Sequence, residues 1–157
     1  MEDYVARDDR PLANCLEDIS SCDLYIGLFA LRYGFVPEDG NPEHRSITEL
    51  EYRHAAVKGK DCLVFILDEK FPWPPTLQDA HTGNAERGEL IQRLREELAK
   101  NKQVAFFRSP DDLASSVSAA VEVWEKKRAK QKEARIRDET DLEWLAAQWN
   151  PGVIPGG

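Results

Sequence analysis

Apolar residues gather in three short runs, and the segments around them repeat with a helical period. Leu24-Tyr25-Ile26-Gly27-Leu28-Phe29-Ala30 and Cys62-Leu63-Val64-Phe65-Ile66-Leu67 are continuous, as expected of strands buried on both faces of a parallel sheet. Val104-Ala105-Phe106-Phe107 makes a shorter third strand. A first helix, with Asp8 or Asp9 as cap and Pro11 in its first turn, buries Leu12, Cys15, Leu16 and Ile19. A second opens at Ser46-Ile47-Thr48-Glu49, the spacing of a capping box, and Gly59 stops it. A third spans about Glu86 to Lys100, with Leu90, Ile91, Leu94 and Leu98 as its stripe. Ser109-Pro110-Asp111-Asp112 starts a fourth, which buries Leu113, Val117, Ala120, Val121 and Trp124.

Helix and strand alternate throughout, which predicts parallel strands joined by right-handed crossovers, the strand from Leu24 lying beside that from Cys62. Three strands make a thin sheet for this class. An α/β domain that is N-terminally incomplete, lacking one or two strands, is the expectation. The stretch from Asp68 to Glu86 holds Phe71-Pro72-Trp73-Pro74-Pro75 and predicts a long surface loop. The organisation reads as an α/β domain over 1–124, a charged helical extension or linker over 125–140, and a short helix with a flexible tail over 141–157.

In open sheets of this kind, ligands bind beyond the carboxyl ends of the strands, here the loop from Arg32 to Arg45 and the start of the Ser46 helix. On a 3.6-residue period Ile47, Leu50, His54 and Val57 share one side, with Glu51 at its margin and Glu49 and Arg53 turned away. Glu51 is then the carboxylate nearer the sheet, and Glu49 the partner of Ser46 in the capping box. Arg32-Tyr33-Gly34 could meet a phosphate and a ring, Gly34 letting the backbone approach closely. The ligand-binding candidates are Arg32, Tyr33, Gly34, Ser46 and Thr48. The plainer alternatives are a solvated helix carboxylate at Glu51 and a structured turn at Arg32-Tyr33-Gly34.

Composition narrows the function classes. The 157 residues, 41% of them hydrophobic, fit one globular domain. Cys15, Cys22 and Cys62 lack the spacing of a metal site or a disulfide framework, and with His44, His54 and His81 they suggest no metal ligand set. The chain has no apolar run of membrane-spanning length and no signal-peptide pattern at Met1, so the cytoplasm is the default location. Net charge is -8; seven Lys or Arg against one acidic residue fall between Lys126 and Arg137, leaving the remainder at -14. An acidic body argues against nucleic-acid partners. There is no P-loop, no GxGxxG and no sign of a bound cofactor.

The succession from MEDYVARDDRPLANCLEDISSCDLYIGLFALRYGFVP through SITELEYRHA and KDCLVFILDEKFPWPP to FFRSPDDLASSVSAAV resembles the TIR-like domain of unknown function at the N-termini of STAND and NACHT-type signalling NTPases. The resemblance covers roughly Met1 to Trp124. It implies a flavodoxin-like, three-layer fold with a further strand, helix and strand upstream. ETDLEWLAAQW resembles the short helix that leads into the NTPase. Within TELEYRHA, the residues Thr48, Glu51 and Ala55 are similar to the T-x-x-E-x-x-x-A pattern of nucleoside deoxyribosyltransferases, whose glutamate attacks C1′ of the sugar. NAD-cleaving TIR domains also use a glutamate on the corresponding helix. By resemblance, then, Glu51 is the first catalytic candidate and Glu49 the second, with NAD or a related nucleotide as substrate. The alternative is a non-catalytic module that self-associates or contacts a neighbouring NTPase domain.

Overall fold

The computed structural model describes residues 12–82, 85–100 and 104–148. Its elements follow the expected alternation: α1 (Leu12–Ser21), β1 (Leu24–Phe29), α2 (Ile47–Val57), β2 (Asp61–Leu67), α3 (Ala85–Ala99), β3 (Val104–Phe107) and α4 (Pro110–Gln148). The strands form one parallel sheet in the order β1-β2-β3. Leu24 pairs with Asp61 and Phe29 with Ile66; Val64 pairs with Val104 and Leu67 with Phe107. The result is a flavodoxin-like α/β arrangement, a parallel sheet flanked by helices. Asp8, Asp9, Pro11 and the segment NPGVIPGG lie outside the described residues.

The chain divides into two compact units, Met1–Leu113 and Ala114–Gly157. In the first, Phe29, Val64 and Ile66 of the sheet meet Ile91, Leu94 and Leu98 of α3, with Tyr33, Tyr52, Leu90 and Val104 packed around them. The four leucine and isoleucine positions read from α3 thus face the core. Gly88 allows close backbone approach: a Cβ there would lie 2.9 Å from the Ala80 Cα. In the second unit α4 runs without a break through the charged stretch and DLEWLAAQ. Its expected stripe is half-buried rather than buried at Val117, Ala120, Val121 and Trp124. The exposed remainder carries i, i+4 pairs, Lys126 with Glu122 and Arg135 with Glu139, of the kind that supports a solvated helix.

Two expectations are corrected here. β1 is not covered on both faces, because burial alternates along it and leaves Ile26 40% and Leu28 49% exposed. The pleat sends these two side chains opposite to Tyr25 and Phe29, the pair that Tyr52 packs against. Nor is the segment after β2 simply a surface loop. It forms two 3-10 turns, Pro75–Leu77 and Asp79–His81, and Asp79 is buried.

Candidate functional site

β1 ends at Phe29, and the chain then carries Arg32, Tyr33 and Gly34 past the strand ends before returning at Ser46 to begin α2. The return is fixed by Asn41. Its side chain donates to the carbonyls of Pro37 and Arg45, at 2.9 and 2.8 Å, and accepts from Arg45 N–H at 3.0 Å. Ile47 N–H donates to Phe35 O at 2.9 Å. Gly34 has φ +92°, a left-handed conformation that disfavours any side chain.

Ser46 is fully buried and is the N-cap of α2, its Oγ accepting from Glu49 N–H at 3.3 Å. The reciprocal half of the capping box is rerouted through a third residue. The Tyr33 hydroxyl donates to Glu49 Oε2 at 2.5 Å in place of a direct Glu49–Ser46 return bond. Tyr33 is itself buried, and desolvation together with Glu49 raises its hydroxyl pKa to about 12. Glu49 Oε1 accepts from Arg53 Nε at 2.7 Å and lies 3.4 Å from Arg45 Nε. Arg53 reaches on to Glu97 of α3 through two bonds of 3.1 and 2.9 Å. These bonds hold the Arg53 guanidinium well above its ordinary pKa and the Glu97 carboxyl below its own. Opposite, Asp79 Oδ2 accepts from Tyr33 N–H at 2.7 Å, and Asp79 N–H donates to Leu31 O at 3.0 Å. The exposed Arg32 lies 3.7 Å from Asp79 Oδ1.

The face read for α2 is therefore overturned. Tyr52, not Val57, meets the sheet, its ring 6.0 Å from Phe29 and 6.4 Å from Tyr25, while Val57 is 85% exposed. Glu49, one turn before Tyr52, shares that inward side and is only 6% exposed. Hydrogen-bond partners outweigh hydropathy here, because a carboxylate with a tyrosine and two arginines in reach can be buried at little net cost. His54 turns toward α1, its Nε2 2.8 Å from Ser20 Oγ.

Glu51 stands apart from this network. It is half-buried, burial raises its carboxyl above the usual range, and the nearby Tyr25 hydroxyl is pushed up by desolvation and by Glu51. Among the described residues it makes no hydrogen bond or ion pair. Tyr33, Gly34, Ser46, Thr48 and Glu49 converge at the strand ends, a Cβ on Gly34 lying 3.8 Å from Thr48 Oγ1. Arg32 joins them through Asp79, and Glu51 faces Tyr25 instead.

Sequence reasoning missed Asp79, Arg45, Arg53 and Arg95. Arg95 had a signal, since it sits four residues after Ile91 and three before Leu98, on the buried side of α3. Asp79 had none, since it lies in the proline-rich segment after β2 and its partners are more than forty residues upstream. Among the described residues, no group of His, Cys, Asp and Glu could hold a metal ion, and no helix is long and apolar enough to cross a membrane.

A parallel α/β domain with a polar, carboxylate-bearing crevice at its strand ends is the class these features define. The family model for a domain of unknown function, DUF4062, matches residues 1–122, and the chain belongs to that family. Neither the curated proteins nor the solved structures contain a match.

Proposed function

We propose that this is a TIR-like signalling or effector domain that cleaves the N-glycosidic bond of NAD or a related nucleotide through Glu51. The observation that carries the reading is the contrast between the two carboxylates. Glu49 is saturated by Tyr33, Arg45 and Arg53, whereas Glu51 is half-buried, unpaired and shifted by burial. Shifted groups without a structural partner are candidates for chemistry. When the C1′–N bond breaks, its electron pair leaves with nicotinamide and positive charge develops on the sugar. A desolvated carboxylate gains most at that moment, so Glu51 favours the transition state over the ground state. Water then adds at C1′ and gives up a proton.

NAD supplied to the wild-type protein should yield free nicotinamide. Glu51→Gln should retain the fold and lose about a hundredfold or more of the rate. Equal rates for the two would remove Glu51 from the mechanism. A second reading, a non-catalytic module that self-associates or contacts a neighbouring NTPase domain, is favoured by one observation. Ile26 and Leu28 are exposed beside an edge of β1 that has no strand partner among the described residues, and such edges invite association. Absence of nicotinamide release together with concentration-dependent assembly would favour that reading.

A further inference from the structure

Arg95 is a cation where a helix stripe calls for an apolar residue, and its side chain is only 4% exposed. Its partners are mostly carbonyls. Nη1 donates to Phe29 O at 3.2 Å and Ala30 O at 3.0 Å; Nη2 donates to Leu67 O at 2.7 Å and to Glu69 Oε1 at 3.3 Å. Four of the five guanidinium N–H bonds are thereby directed, and Nε is buried with no partner. Burial lowers the Arg95 pKa, and Glu69, the carboxylate opposing that shift, is itself 56% exposed. A salt bridge to so exposed a partner contributes little. The carbonyls are what the guanidinium is placed to hold.

Phe29 O, Ala30 O and Leu67 O mark the ends of β1 and β2, where two loops leave the sheet. One loop carries Arg32, Tyr33 and Gly34; the other carries Asp79. They meet again through Tyr33 N–H to Asp79 Oδ2 and Asp79 N–H to Leu31 O. We infer that Arg95 is a positioning residue which fixes both crevice loops at once, so that the Tyr33–Asp79 junction opens as a single unit when the guanidinium lets go. A lysine keeps the charge but is a point donor on one nitrogen, and it cannot hold carbonyls from two strands in fixed directions. This holds whichever of the two readings of the crevice is correct.

Amide hydrogen exchange tests it without an activity assay. The N–H groups of Tyr33 and Asp79 are bonded between the loops, while those of Tyr52 and Phe65 lie inside α2 and β2. In Arg95→Lys, exchange at Tyr33 and Asp79 should quicken by about tenfold or more while Tyr52 and Phe65 change by less than about threefold. Glu69→Gln should leave all four within about threefold of wild type. A uniform rise at all four in Arg95→Lys would mean plain loss of stability and would overturn the inference, as would no change at Tyr33 and Asp79. An effect of Glu69→Gln as large as that of Arg95→Lys would assign the work to the ion pair and overturn it too. Should Arg95→Lys not fold, wild-type protein in low urea decides. Tyr33 and Asp79 must then show one common opening with the same urea dependence, and different slopes would refute the coupling.

Discussion

Glu49→Ala attacks the most heavily bonded side chain in the crevice. The substitution removes the acceptor of the Tyr33 hydroxyl, at 2.5 Å, and of Arg53 Nε, at 2.7 Å. Hydrogen bonds to a charged group contribute roughly 1.5–3 kcal/mol each, with the upper range applying when a buried partner is stranded. Tyr33 is buried and cannot turn to water, so its loss counts nearly in full. Arg53 keeps Glu97 and has a partly exposed side chain, so its loss is discounted to a fraction of that range. The sum is about 3 kcal/mol. Glu49→Gln keeps an acceptor for Arg53 and can offer its amide to a reversed Tyr33 hydroxyl; only the charge is lost, at a cost of about 1 kcal/mol. Urea unfolding followed by circular dichroism measures both. A double-mutant cycle with Tyr33→Phe should return a coupling of about 1–2 kcal/mol. If Glu49→Ala unfolds within about 0.5 kcal/mol of wild type, or if Ala and Gln cost the same, the network is not what holds α2 to the Tyr33 loop.

Three further outcomes are expected. Because burial raises the Glu51 pKa in the folded state, the folded protein binds more protons than the unfolded chain, and stability falls as pH rises from the ordinary carboxyl value through the shifted one; Glu51→Gln should therefore raise the melting temperature at pH 7 and lose that advantage in acid, and a variant melting below wild type at pH 7 would refute the sign. Ser46→Ala should cost about 1–2 kcal/mol in urea unfolding, since the fully buried Oγ caps Glu49 N–H, and an unchanged midpoint would show that the cap is idle. Leu28→Glu places a charge on the exposed face of β1 and should reduce any self-association seen by sedimentation velocity with little loss of stability; association that persists undiminished would move the interface elsewhere.

The legible parts of this molecule are those where one local signal decides. Three apolar runs became three parallel strands in the expected order, and the α3 leucines entered the core because their period left no other side apolar. β1 was misread because its sequence is apolar at every position, so nothing local tells that Ile26 and Leu28 lie uncovered. The crevice failed for a related reason. Its organising bonds join Tyr33 to Glu49 and Asp79, and Arg53 to Glu97, pairs that only the completed fold brings together. Hydropathy assigned the inward face of α2 to Ile47, Leu50, His54 and Val57, and scored Glu49 as a surface residue. Its burial depends on a tyrosine sixteen positions earlier.

The spacing of the two glutamates follows from the same geometry. Residues two apart on a helix point about 200° from each other, so Glu49 and Glu51 cannot both serve one site. With Tyr33 and Asp79 tying the loop to α2 through Glu49, the rotation of the helix about its axis is set. That rotation in turn puts Glu51 beside Tyr25, away from every arginine paired in the crevice. A carboxylate left among Arg45 and Arg53 would have its charge already satisfied and would have little to offer a developing cation. Saturating Glu49 therefore does two things: it fixes the crevice, and it leaves Glu51 as the carboxylate whose charge is still uncompensated.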